Sequence, residues 1–496
     1  MSDHALPACP YVGLVPYTEA DAPFFFGRDS ERDTIITNLL SSRLLLLYGP
    51  SGVGKSSVLR AGVVHALRAQ IERNLAERNE PEFIVVYFNN WRDEPLAGLV
   101  AAVGAGLAPA PNGQPSAGQP SAGQPHGLKD HLGLPLHEIL ESVANQTNAD
   151  LLIILDQFEE YFLYHANEDG AGTFFAEFPR AVNRAGLRAN FLVSIREDAL
   201  AKLDRFKGHI PSLFDNYLRI EHLDRDAARE AIEQPLAEYN RRLPAEAQPV
   251  SIEPALVEAV LAQVQTGQVV IGEQGRGVAH AAADDARIET PYLQLVLERL
   301  WKEDVETLHV TSLQLATLTR LHGAQGIVQT HLDTLMQGLS AAEQAICSSF
   351  FDRLVTPSGA KIAQTRDDLV QYSQQSEAAV TPVLTKLGDA RILRPVAPPL
   401  DQPEATRYEI FHDVLAPALL DWRRRYEEGR ERERFRQEEE ARQAQARRAE
   451  QERREKFRLR VILIVGALLL VSFGGLAAYA FSQKADAETF RQLAFA

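Results

Sequence analysis

The chain has 496 residues, 45 % hydrophobic and 24 % charged, which is enough for about three domains with ordinary cores. Its formal net charge of −16 argues against general nucleic-acid binding, which rests on cationic surface; only residues 421–460 run the other way, with 15 basic against 11 acidic side chains. Two cysteines, Cys9 and Cys347, exclude a disulfide framework and a CxxC metal site, and the N-terminus lacks the basic-then-apolar pattern of a signal peptide.

Residues 1–30 are rich in proline and aromatics and end in Pro23-Phe24-Phe25-Phe26-Gly27-Arg28-Asp29. The phenylalanines either pack on the following domain or face an adenine ring, and packing is the commoner use of such residues. A helix follows, with Asp29 or Ser30 as N-cap. Leu44 to Tyr48 is an apolar run leading into Gly49-Pro50-Ser51-Gly52-Val53-Gly54-Lys55-Ser56-Ser57, which fits G-x-x-x-x-G-K-[ST]. A helix is predicted from about Ser56 to Gln70. In that context the glycines let backbone N–H groups turn on a polyphosphate. Lys55 supplies a point charge for the β- and γ-phosphates, and Ser56 supplies a hydroxyl for Mg2+. The positive end of the helix faces the same anion.

Phe83–Phe88 reads as a buried parallel strand, with Trp91 and Arg92 just past its C-terminal end, either packing in the loop or lying near a nucleotide. Residues 105–135 carry a short Gly-Gln-Pro-Ser-Ala repeat that cannot bury a core, and a disordered loop is expected. Leu151–Leu155 is a third strand. Asp156 at its end would hold Mg2+, and Glu159 or Glu160 would orient and deprotonate an attacking water. Phe191–Ile195 is a fourth strand. Arg196 at its end either senses the γ-phosphate or pairs with Glu197 or Asp198.

From Leu223 the pattern turns helical. A helix runs from Arg225 to Leu236, broken near Pro235, and others cover 253–265 and 290–304, the last with Pro291 at an early helical position. Helices at Ser340–Leu354 and Ala378–Leu387 precede strands at Asp389–Val396 and Arg407–Phe411, which fits a winged-helix module whose acidic balance makes DNA binding unexpected. His412 follows the last strand. Residues 423–460 read as a solvated helical stalk laced with Glu–Arg pairs at i,i+4. Val461–Phe481 is 21 residues without a charge, long enough to span a bilayer, and the basic residues before it place 1–460 in the cytoplasm. The expected fold is α/β: an N-terminal segment (1–30), a P-loop NTPase domain with a parallel sheet (31–222), a helical lid (223–330), a winged-helix domain (331–422), the charged helix (423–460), one transmembrane helix (461–481) and a short tail (482–496).

As an ordered set, Phe25-Phe26-Gly27-Arg28-Asp29, the loop Gly49–Ser56, Trp91-Arg92-Asp93, Leu155-Asp156-Gln157-Phe158-Glu159-Glu160, Ser194-Ile195-Arg196-Glu197-Asp198, Thr290-Pro291-Tyr292 and Tyr408-Glu409-Ile410-Phe411-His412-Asp413 resemble the novel STAND class of bacterial P-loop NTPases. The resemblance implies a switch that is closed with ADP, assembled into homo-oligomers with ATP, and timed by slow hydrolysis. It implies that Gly27 and Arg28 line the adenine, that Pro291 closes on the nucleotide, and that His412 contacts the β-phosphate of ADP. Phe411 departs from the residue commoner in that motif. Relatives usually carry a large sensor or effector beyond the membrane helix, so the expectation is one of three: the membrane segment is itself the output, the sensor is a separate protein, or the reading frame is a truncated form of a longer one. The partners implied are ATP, ADP, bilayer lipid around 461–481 and a protein trigger or effector, with no nucleic acid expected. A transport or membrane-remodelling ATPase is the alternative reading.

Overall fold

The structure, a computed structural model, describes residues 6–78, 81–106, 134–265, 287–355, 361–396, 406–411 and 415–493. The Gly-Gln-Pro-Ser-Ala repeat and His412 lie outside them.

Five strands form a parallel sheet: β1 (Leu44–Gly49), β2 (Phe83–Phe88), β3 (Asp150–Leu155), β4 (Ala189–Arg196) and β5 (Tyr217–Arg219), in the order β2-β3-β4-β1-β5. The first four are near-continuous apolar runs because both faces of the sheet are covered. Side chains alternate between the two cores. Leu45, Leu47, Leu152, Ile154 and Leu192 meet Ile35, Leu39, Val58, Leu59 and Val63 on one face. Leu46, Ile153, Leu155, Phe191 and Val193 meet Leu99, Leu140, Phe158, Phe174 and Phe178 on the other. The register pairs Gly49 with Arg196 and Leu155 with Val193, so the loops after β1, β3 and β4 open at one edge of the sheet.

The helical run after the glycine loop has three segments, Lys55–Ser57, Val58–Val64 in wider π winding, and His65–Arg78. It thus extends well past Gln70. β5 is a strand the sequence does not announce, since it has only three residues and two are exposed. The helix expected to break near Pro235 instead runs unbroken over Arg225–Arg242. Asp224 caps it, accepting from the Ala227 amide at 2.8 Å. Pro235 is buried within it, and the Tyr11 hydroxyl donates to the Ile232 carbonyl at 2.8 Å, beside the turn the proline disturbs.

Helices Pro254–Gln263, Thr290–Trp301, Leu315–Arg320 and Gly323–Gln337 follow, and then Ala341–Phe350, Arg366–Ser373 and Glu377–Asp389. Two short strands, β6 (Ser251–Ile252) and β7 (Ser312–Leu313), pair in parallel. Three more, β8 (Gln364–Thr365), β9 (Leu393–Val396) and β10 (Arg407–Ile410), form an antiparallel sheet in the order β8-β10-β9, with Arg394 opposite Glu409.

The chain divides into two compact units, Met1–Arg423 and Arg424–Ala496. The last helix covers Ala416–Leu493, 78 residues. In the second unit, Arg454 and Lys456 pair with Glu450 and Glu452 one turn away. Its most apolar 18-residue window has a mean hydropathy of 2.6 and buries none of its surface, so the helix is long and apolar enough to cross a membrane.

Candidate functional site

The glycine loop turns because two of its residues take left-handed conformations, Gly52 at φ +75° and Gly54 at φ +97°. Gly49 serves packing: a Cβ there would sit 2.3 Å from the Ile220 carbonyl. The Lys55 ammonium donates to the carbonyls of Gly49 and Pro50, both at 2.9 Å, folding the loop around its own cation. Burial lowers the Lys55 pKa from its ordinary value, while Glu159 and Asp156 oppose the shift.

A cavity of about 600 Å³ opens over this loop. Ser51, Gly52, Gly54, Lys55, Ser56 and Ser57 form its floor, with the positive end of the helix. Asp156, Glu159, Glu160 and Arg196, from the ends of β3 and β4, form one wall. Pro16, Tyr17, Phe25, Phe26, Arg28 and Pro291 form a largely apolar end. Arg394, Tyr408 and Phe411, from the C-terminal antiparallel sheet, close another side. Phe25 therefore both packs against the core helices and faces the cavity.

Five of the residues singled out in the sequence, Gly27, Gly49, Pro50, Val53 and Trp91, do not line the cavity. Gly27, at φ +80°, lets the chain pass the Ala227 carbonyl, which a Cβ would meet at 2.3 Å. Gly49 and Pro50 offer carbonyls to Lys55, and Val53 is fully buried in the core beneath the loop. Arg28 lines the cavity but is mainly a clamp: it pairs with Glu31 and donates to the carbonyls of Val53 (3.0 Å) and Glu221 (2.8 Å). Trp91 packs in the loop; Arg92 lines the cavity. The Trp91 indole is fully buried among Phe88, Phe158, Tyr161 and Phe174, and its N–H donates to the Asp156 carbonyl at 2.7 Å. It holds the Asp156 backbone in place from behind.

The acids differ in their surroundings. The Asp156 carboxylate, 1 % exposed, accepts from the Tyr87 hydroxyl at 2.7 Å. Glu159 accepts from the Arg196 backbone amide at 3.2 Å; burial raises its pKa, and Lys55 and Arg196 oppose the rise. Burial, followed by Glu159 and Asp156, pushes Glu160 up to about 7. Arg196 is 8 % exposed and pairs both with Asp198, as a surface reading would have it, and with Glu409, 213 residues away. Glu409 lies within the Tyr408–Asp413 stretch quoted for the resemblance, which gives it no role, and Arg394 lies in no motif. Its only sequence signal is a charge at a buried position of a short strand.

The residues present suit a nucleotide. Lys55 is a half-buried cation whose partners are carbonyls, and the Ser194 hydroxyl on β4 is buried without a hydrogen-bond partner among the described residues. An anion in the cavity would satisfy the first. Among the described residues no group of three or more His, Cys, Asp or Glu could hold a metal by itself. The Ser56 hydroxyl and Asp156 carboxylate are hard oxygen donors of the kind that share Mg2+ with a phosphate.

The family model described as Novel STAND NTPase 1 matches residues 10–456. No curated protein matches the chain. Among solved structures, the chain is similar to the Aeropyrum pernix ORC1 protein in complex with DNA (14 % identity, TM-score 0.43, 80 % of this chain and 93 % of that chain). It is also similar to the Aeropyrum pernix ORC2 protein in ADPNP–ADP complexes (14 % identity, TM-score 0.42, 81 % and 95 %) and to Cdc6p from Pyrobaculum aerophilum (12 % identity, TM-score 0.36, 80 % and 94 %).

Proposed function

Since the chain belongs to the Novel STAND NTPase 1 family, we propose that its cavity binds ATP and ADP and that the protein works as a nucleotide-dependent signalling switch. The observation that carries this reading is the composition of the cavity wall. The glycine loop, the ends of β3 and β4, the Pro291 helix and the C-terminal antiparallel sheet all contribute to one 600 Å³ space. A ligand there touches the parallel sheet, the Pro291 helix and the antiparallel sheet together, so a change in its phosphate chain changes how those parts pack.

In this reading Lys55 and the helix N-terminus hold the β- and γ-phosphates, and Pro16, Phe25 and Pro291 flank the base. Mg2+, held by Ser56 and Asp156, would neutralise phosphate charge. Glu160, with a pKa near 7, takes a proton from water, while Glu159 keeps Lys55 and Arg196 in register. The three helices and sheet of 341–410 act as a winged-helix module, with His412 on the β-phosphate of ADP. Hydrolysis is slow and resets the switch. The apolar helix anchors the protein in the cytoplasmic membrane with residues 1–460 inside, and the ATP state assembles into homo-oligomers, with an output in bacterial stress or antiviral response. Nucleic acid is not a partner.

Light scattering on the full chain in detergent tests the switch. A non-hydrolysable ATP analogue should raise the particle mass by a whole-number multiple over the ADP state. Equal mass with both nucleotides contradicts it.

A further inference from the structure

Two charged residues beside the cavity, Arg394 and Glu409, have no role in the reading above. Arg394 on β9 and Glu409 on β10 are cross-strand partners, 9 % and 7 % exposed. The Glu409 Oε1 atom accepts from Arg394 Nε at 2.9 Å and Nη2 at 2.5 Å, and from Arg196 Nη2 at 3.1 Å. The Lys361 ammonium lies 3.9 Å from the same oxygen. The remaining Arg394 nitrogen, Nη1, donates to the Ser51 hydroxyl in the glycine loop. Both guanidinium groups line the cavity, whereas Glu409 does not.

Two guanidinium groups repel unless an anion lies between them. Glu409 is that anion. It holds both guanidinium groups together at the cavity wall, where Arg196 also pairs with Asp198 and Arg394 with Ser51, so a terminal phosphate there would take over donors that Asp198 and Ser51 now use. The pair sits at the hydrolytic end. The Arg196 amide donates to Glu159, and Ser51 belongs to the loop that Lys55 closes, whereas the apolar end lies at Pro16, Phe25 and Pro291.

Resting on the nucleotide reading above, we propose that Arg394 is a second ligand for the terminal phosphate of a nucleoside triphosphate, and that Glu409 is the positioning residue that pairs it with Arg196. The C-terminal antiparallel sheet then makes its own bond to the group that distinguishes triphosphate from diphosphate.

The test is calorimetric titration of the full chain in detergent with Mg·ADP and a Mg-bound non-hydrolysable ATP analogue. Arg394→Gln should weaken triphosphate binding by roughly 10-fold or more, the worth of a charge-assisted contact, and leave ADP binding within about 3-fold. Glu409→Gln should shift the same ratio in the same direction. Because it leaves two arginines facing each other and risks misfolding, Arg394→Lys provides the second arm: it keeps the charge, loses the fork and should fall between wild type and Arg394→Gln. An unchanged ratio in Arg394→Gln, with wild type binding both nucleotides, overturns this inference alone. Wild type binding neither nucleotide overturns it together with the reading it rests on.

Discussion

Trp91→Phe separates two uses of an indole next to a nucleotide cavity. Trp91 is fully buried among aromatic rings whose centroids lie 4.8–5.8 Å away, and its N–H satisfies the Asp156 carbonyl at 2.7 Å. Phenylalanine removes the donor and leaves that carbonyl buried and unpaired, at about 1–3 kcal/mol. It also removes roughly 40 Å³ of side chain, which at about 24 cal/mol per Å³ adds ~1 kcal/mol if the site does not collapse. The expected loss is therefore about 2–4 kcal/mol. Urea unfolding of the full chain in detergent, followed by near-ultraviolet circular dichroism, reads it out through the remaining rings. The Mg2+ dependence of nucleotide binding should weaken in the same variant, because Asp156 is held through its backbone. A stability change below about 0.5 kcal/mol would refute the anchoring role, and a loss of nucleotide affinity without loss of stability would make Trp91 a ligand contact instead.

Gly27→Ala should destabilise the protein by at least ~2 kcal/mol, because an L-residue at φ +80° is strained and its Cβ would meet the Ala227 carbonyl at 2.3 Å. An unchanged urea midpoint would contradict that packing. Glu160 is raised from the ordinary 4.5 to about 7, so its charged form is disfavoured in the folded protein. The penalty is absent below about pH 4.5 and complete above about pH 7. Glu160→Gln should therefore leave stability unchanged at pH 4 and raise it at pH 8 by about 1–3 kcal/mol, the lower figure allowing for solvent screening. A melting-temperature series across pH 4–8 checks the sign, and stabilisation at pH 4 alone would reverse it. With Glu160 as base, hydrolysis by the wild type should rise through pH ~7.

The parallel sheet was legible because strands covered on both faces must be apolar runs, and Leu44–Tyr48, Phe83–Phe88, Leu151–Leu155 and Phe191–Ile195 are such runs. The glycine loop was legible because phosphate cradles need glycine at positive φ, and Gly52 and Gly54 supply it. β5 was hidden because three residues, two of them exposed, carry no periodicity. Pro235 misled because proline disfavours helix interiors, yet tertiary packing over Arg225–Arg242 and the Tyr11 hydroxyl outweigh one missing hydrogen bond. The Arg394–Glu409–Arg196 cluster could not be read at all, because its members lie 15 and 213 residues apart and meet only once the antiparallel sheet docks on the glycine loop.

The central claim is that the loop Gly49–Ser56 holds the phosphates of an adenine nucleotide. Its most direct test is isothermal titration of the full chain in detergent with Mg·ADP and with a Mg-bound non-hydrolysable ATP analogue, wild type against Lys55→Ala. Wild type should bind both nucleotides, and loss of a half-buried cation facing phosphate should weaken both by roughly 30-fold or more. Equal affinity in the two proteins, or no heat with either nucleotide in the wild type, would contradict the account.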